Sequence, residues 1–300
     1  MTSQTIRRAL TRRMRVLEQE LPAALGHDAE AVHRARVATR RLREAMPVIT
    51  PAPWAPHDRR TRRARALIRR LTSALGGVRE LDVALAMLDE VVAVSPELAL
   101  GAAAVRALVV PERERHRDEM RADLLKVTPE KLSRRLGPLV DGASPADAAM
   151  SLTRLRARLE RRADRVQEAV AAAGALYAFD RLHVVRIAVK KLRYVLELVQ
   201  ELSRIRTLRL VNRLRQAQDL LGRLHDLEVL AAYVRRVSFE PDPGVVAQAA
   251  VILDRMERET RDLHAAYLKR TGVLAAVVAA CRDDLAPRLP RDSAQGALPS

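Results

Sequence analysis

Apolar residues recur at i, i+3, i+4 and i+7 along most of this chain, and strict period-2 alternation is missing. Ile6, Leu10, Leu17 and Leu21 open the pattern, which restarts after each cluster of turn-forming residues. The spacing predicts an all-α fold of about eight long helices. The first covers 3–24 and stops near Pro22 and Gly26; the second opens at Asp28 as N-cap and ends at Met46–Pro47. A proline-rich turn holds Pro51, Pro53 and Pro56. A third helix over 58–94 is expected to bend at Gly76–Gly77, and Pro96 opens a fourth that ends near Val127. A short helix over 129–136 and a turn-rich linker, 137–145, close this half. Helices over 146–173, 179–203, 206–238 and 243–271 follow, then a loose tail from Pro287.

The second set of helices repeats the first. His33-Arg34-Ala35-Arg36-Val37-Ala38-Thr39-Arg40-Arg41-Leu42-Arg43 matches His183-Val184-Val185-Arg186-Ile187-Ala188-Val189-Lys190-Lys191-Leu192-Arg193 at an offset of 150, with five of 11 pairs identical. Downstream, the segment from Leu75 to Val83 is echoed from Leu221 to Val229 at an offset of 146. Two echoes in the same order and at nearly the same spacing point to duplication. The expected organisation is therefore two tandem four-helix bundles, 1–140 and 141–286, with 287–300 as tail.

At about 100° per residue, His33, Arg36, Arg40 and Arg43 form one stripe, and Ala35, Ala38, Leu42, Ala45 and Ile49 a second on the opposite side. The repeat preserves this split: His183, Arg186, Lys190 and Arg193 stand against Val185, Ala188, Leu192, Val195 and Val199. Each helix thus packs one face on its bundle and presents cations on another. Like charges so spaced cost on the order of a few tenths of a kcal/mol per pair, which a bound anion would relieve. A single such stripe reads as a solvated face. Two stripes with His in the same place call for another explanation.

Composition sharpens this. Of the 300 residues 48% are apolar, enough to bury a core, and Cys281 is the only cysteine, which excludes disulfide scaffolds, Cys-based zinc modules and iron–sulfur sites. A cytosolic setting fits that count. The net charge is +17, divided +8 and +9 between residues 1–150 and 151–300, so polyanions are the expected partners. Of 54 basic residues 49 are Arg; GC-rich codon usage accounts for Arg in place of Lys, but not for the excess of one sign. The longest apolar runs, Ala169–Phe179 and Val273–Cys281, fall short of the ~18–20 residues of a membrane span. The Arg-rich start, Met1 to Arg15, has no hydrophobic signal region; it imitates an organellar transit helix but continues as an ordinary first helix.

No Gly-rich phosphate loop, G-x-S-x-G or H-E-x-x-H is present. Metal binding at the histidines is disfavoured by Arg36 and Arg186 beside them, and no base or nucleotide loop supports a phospho-His intermediate. The remaining readings are a His that donates to phosphate and a merely satisfied buried His. Glu257 and Glu259 form an E-x-E-x-R string similar to the E-x-E-x-K of triphosphate tunnel enzymes. On a helix residues two apart diverge by about 200°, so the string reads as surface charge. Glu80/Asp226 and Asp82/Glu228 recur in the second echo as candidate salt-bridge partners of the arginines.

The doubled His-x-x-Arg-[Val/Ile]-x-x-[Arg/Lys]-[Arg/Lys]-Leu-Arg and the Leu-Gly-x-x-Arg79-Glu80-x-Asp82-Val83 segment resemble the CHAD family, the conserved-histidine α-helical domain, over roughly residues 3–285. The resemblance implies two four-helix bundles related by a pseudo-two-fold, basic residues at a central groove or pore, and binding of inorganic polyphosphate, with members at polyphosphate granules in the cytoplasm. The triphosphate tunnel domain that such domains often accompany has no room beside the helical repeat. His225 where the first echo has Arg79 is a departure that weakens the carry-over there.

The resulting expectation is a non-catalytic polyphosphate binder with no cofactor and no metal. Its ligand contacts would be His33, Arg36, Arg40, Arg43, His183, Arg186, Lys190 and Arg193, then Arg41 and Lys191. Arg69 and Arg215 on the third helix of each half follow, and Arg12 and Arg158 on the opening helices. Nucleic acid is the first rival, though seven aromatics offer few stacking platforms. A phosphatase or phosphotransferase using His33 or His183, and a purely partner-docking helical protein, are the others.

Overall fold

The computed structural model describes residues 3–26, 28–49, 59–141 and 145–291. Among them are nine α-helices and no strand: α1 (Ser3–Leu25), α2 (Ala29–Ile49), α3 (Arg59–Val94), α4 (Ala99–Leu124), α5 (Pro129–Asp141), α6 (Pro145–Ala173), α7 (Phe179–Ser203), α8 (Leu208–Val237) and α9 (Pro243–Ala279). The turn at Pro51, Pro53 and Pro56, the linker residues 142–144 and the tail beyond 291 lie outside the described residues.

Helix starts follow their capping chemistry. Asp28 Oδ1 accepts from the Ala31 amide at 2.6 Å, and Asp242 Oδ1 from the Gly244 amide at 2.7 Å with Pro243 next to it. One helix end departs from expectation where a proline was read as the stop. α1 ends at Leu25, within a residue of the expected 24, whereas α2 runs through Pro47 to Ile49. In the last turn a proline removes one amide bond, and complete burial of Val48 and Ile49 offsets that loss. α3 is a single helix through Gly76 and Gly77, held in register by fully buried Leu75 and Val78 on either side. α5 covers the first part of the expected linker, and α9 passes 271 into a π-helical stretch, Ala280–Leu285, that buries Cys281. Burial pushes the Cys281 thiol up to about 12, so it is inert.

The apolar residues form two clusters. One joins α1, α2, α5, α6 and α7 to the adjoining parts of α3, α4, α8 and α9. The other lies between the outer parts of α3, α4, α8 and α9, from Leu81 to Met256. Packing therefore does not divide at residue 140, because each cluster draws on both sides of it. The reason is length: the 36 residues of α3 span about 54 Å against about 32 Å for the 21 of α2, and the overhanging ends of the long helices pack on one another. α1 lies on α2, α6 on α7, α3 beside α2 and α8 beside α7, while α2 and α7 meet at the centre.

Candidate functional site

The inward faces of α2 and α7 are the expected apolar stripes. Ala35, Leu42, Val185, Leu192, Val195 and Val199 are fully buried. Burying these faces turns the cationic stripes toward each other where α2 meets α7, and Arg36, Arg40, Arg186 and Lys190 come together.

Their electrostatics record the crowding. Burial, then Arg40 and Arg186 against the pull of Glu80, brings the Arg36 guanidinium down to about 10. Burial, then Arg40, Arg186 and Arg36, brings Lys190 down to about 7. Arg186 is also lowered, by burial and Arg40 against Asp226 and Glu80. The one carboxylate near Arg36 is Glu80 of α3, 3.7 Å from Nη2, and Arg36 Nε is buried with no hydrogen-bond partner. No ion pair joins Arg40, Arg186 or Lys190 to a carboxylate of the described residues.

The two motif histidines have different surroundings. His33 is exposed, and burial of part of its ring with Arg79, Arg36 and Arg40 lowers its pKa despite Glu30. His183 is half-buried with Nδ1 3.3 Å from Nδ1 of His225, and burial, His225, Arg186 and Lys190 lower it. Phe179 stacks on His225 at 5.6 Å between ring centres. His225 Nε2 lies 3.7 Å from Glu80, and His225 facing that carboxylate keeps Glu80 low, while burial raises Asp226. In each half, then, the residue at the second echo (Arg79 or His225) faces the motif histidine of the first. The sequence showed both echoes but not that they meet.

The flanks hold the other expected residues. On one side Arg12, Arg41 and Arg215 line a cavity of about 610 Å³ together with His33, Glu197 and Glu201. Glu201 accepts from Arg12 at 2.7 Å and from Arg13 at 2.6 Å; Glu197 accepts from Arg41 at 3.1 Å and from Arg193 at 2.7 Å. On the other side buried Glu44 accepts from Arg158 at 2.7 Å and from Arg162 at 3.0 Å. Lys191 is there too, lowered by burial, Arg162, Arg43 and Arg158 against Glu44. Arg43 and Arg69 line a neighbouring cavity of about 350 Å³ with Arg62 and Arg65.

Arg193 is held by contacts within the protein. Only 8% exposed, it donates to Gln218 at 2.9 Å and to Glu197, and its guanidinium lies over the Tyr194 ring at 4.6 Å. Arg158 and Arg12 are likewise tied to carboxylates. Sequence reading passed over Glu44, Glu197, Glu201, Arg13 and Arg162. The i, i+4 pair of Arg158 and Arg162 is visible on α6, but nothing local ties it to Glu44, one of two acids on α2. Of the recurring acids, Glu80 does face Arg36, whereas Asp82 lies 3.6 Å from Arg117 of α4. Glu259 accepts from Arg223 at 2.7 Å, and Glu257 is exposed.

Fold and site together define an all-α domain with cationic side chains from two packed helices collected at its centre. The chain belongs to the CHAD domain family, whose model matches residues 8–235. Its fold is similar to the crystal structure of the CHAD domain from the plant Ricinus communis, at 24% identity and a TM-score of 0.62, covering 97% of this chain and 94% of that one. It is also similar to PptA from Streptomyces chartreusis, at 18% identity and a TM-score of 0.62, covering 90% of this chain and 98% of that one. No curated protein matches the chain. No described helix is long and apolar enough to cross a membrane.

Proposed function

We propose that this protein binds inorganic polyphosphate without catalysis, holding the chain of phosphates on Arg36, Arg40, Arg186 and Lys190. The supporting observation is that burial and the neighbouring cations, Arg40 among them, lower the proton affinity of Arg36, Arg186 and Lys190, with Glu80 and Asp226 as the nearest acids. Such an arrangement is costly in the free protein and is relieved by an anion with one charge per short repeat. Guanidiniums suit the bidentate geometry of phosphate oxygens, and the flanking residues Arg41, Arg215, Lys191, Arg43 and Arg69 extend the path on both sides as a basic groove. We read α2 and α7 as the equivalent helices of a duplicated unit, which accounts for the even division of charge. Residence at cytoplasmic polyphosphate granules follows from this reading.

Nucleic acid would satisfy the charge but finds little to stack on beside the central cations, where Tyr194 is 5% exposed and Phe179 is already stacked on His225. Competition tests the assignment. Long-chain polyphosphate is expected to displace labelled DNA or RNA at equal phosphate concentration. Displacement in the opposite direction overturns the assignment.

A further inference from the structure

We propose that Glu80 is a positioning residue of the central cluster: set between Arg36 and His225, it fixes the Arg36 guanidinium for phosphate and does not merely oppose the anion. This rests on reading the cluster as a phosphate site. It gives one acid of the second echo a role that its counterpart, Asp226, does not share.

The geometry is a chain of side chains across four helices. One carboxylate oxygen of Glu80, on α3, lies 3.7 Å from Arg36 Nη2 of α2 and 3.7 Å from His225 Nε2 of α8. His225 is itself held. Its Nδ1 is 3.3 Å from Nδ1 of His183 on α7, and the Phe179 ring lies over it at 5.6 Å, inclined by 7°. The side chains of His225 and Arg36 are 9% and 12% exposed, so the carboxylate stands between two interior groups. At 3.7 Å it attracts the Arg36 guanidinium without accepting a hydrogen bond from it. Arg36 Nε and His225 Nε2 are both buried with no hydrogen-bond partner.

That separation decides how the acid acts. Glu44 accepts from Arg158 at 2.7 Å and from Arg162 at 3.0 Å, and so occupies their donors. Glu80 draws Arg36 toward α3 without taking its donors, while Arg40 and Arg186 repel it. Without the acid, that repulsion drives the guanidinium out of the cluster, and a phosphate contact is lost with it. The duplication supplies the contrast. Asp226 occupies the place of Glu80 in the echo with a side chain one methylene shorter. It acts on Arg186 but makes no ion pair with it, so Asp226 is an opposing charge only.

The test is titration of long-chain polyphosphate, at several salt concentrations, into the full chain and its Glu80→Gln, Asp226→Asn, Arg36→Ala and Arg36→Ala/Glu80→Gln variants. Glu80→Gln removes a negative charge, yet affinity is expected to fall about threefold or more. The slope of log affinity against log salt should shrink by about one, the mark of one lost phosphate contact. Asp226→Asn is expected to raise affinity by about twofold. In the Arg36→Ala background Glu80→Gln should raise affinity too, because only the opposing charge is then removed. Glu80→Asp keeps the charge but withdraws it by a methylene; it should also lose affinity, and it decides the matter if Glu80→Gln does not fold. Affinity that Glu80→Gln raises or leaves unchanged, or a fall of the same size with and without Arg36, overturns the proposal. Absence of binding by the wild-type chain overturns the polyphosphate reading as well, whereas binding that Glu80→Gln strengthens overturns this proposal alone.

Discussion

His183 and His225 meet through their Nδ1 atoms at 3.3 Å, joining the two sequence echoes of one half. His183 resists protonation because burial, followed by His225, Arg186 and Lys190, disfavours its charged form. Lys190, brought down to about 7, is also short of protons in the free protein. A bound phosphate favours the charged form of both.

Binding should therefore take up protons. Between about pH 7 and 8 affinity should fall as pH rises, because the free protein then holds fewer of the protons that the complex retains. Calorimetry in two buffers of different ionisation heat measures the uptake directly; identical heats would contradict it. For the free protein the direction reverses. The unfolded chain binds a proton that folded Lys190 lacks, so stability should rise with pH from about 7 toward the ordinary lysine value. The lowered His183 acts in the same direction at lower pH. Its contribution is complete above about 6.5 and is lost as pH falls through its folded value.

Adjacent arginines on α1 should behave differently. Arg12 and Arg13 both reach Glu201, but their side chains are 69% and 8% exposed. Arg12→Ala should cost less than about 0.5 kcal/mol, as exposed pairs do. Arg13→Ala should cost about 2 kcal/mol or more, since it also removes a donor to the Ala9 carbonyl and buried packing. Urea unfolding of the two variants checks the difference.

Glu44→Gln should trade stability for affinity. It removes the charge that holds Arg158 and Arg162 together, and should cost about 2 kcal/mol. The same change frees two arginines beside Lys191 and should tighten polyphosphate binding. Thermal unfolding and a binding titration of one sample read both effects; unchanged stability would show that the pair does not brace α6 against α2.

Two glycine substitutions test the helix packing. Gly76→Ala meets nothing within 4 Å and should stabilise α3 by about 0.5–1 kcal/mol. Gly101→Ala would place its Cβ 2.7 Å from Gln248 Cβ and 3.0 Å from the Ala249 amide, forcing α4 off α9 and costing about 1–3 kcal/mol. A neutral Gly101→Ala would mean that these helices do not approach so closely.

The helical pattern was legible because period-3.6 burial holds from Ile6 to Val278, and the α2 and α7 stripes bury the residues that the spacing selected. The helix end at Pro47 was misread, since local proline chemistry yields there to burial of Val48 and Ile49. The central cations were readable as a stripe because repetition set them apart. Arg193 was not separable from them: its fate is decided by Glu197 one turn on and by Gln218 on α8, a tertiary contact without local signature. Glu44 was invisible for the same reason, being a single acid whose partners lie more than a hundred residues away.

The account stands most directly on the four central cations. Long-chain polyphosphate should be titrated into the wild-type protein and into Arg36→Ala/Arg40→Ala/Arg186→Ala/Lys190→Ala at two salt concentrations. Removing mutually repelling charges relieves strain, so loss of folding is not the expected outcome; circular dichroism confirms it. The predicted result is wild-type affinity that falls steeply with salt and a loss of about a hundredfold or more in the variant. Equal affinity of the two proteins would contradict the account.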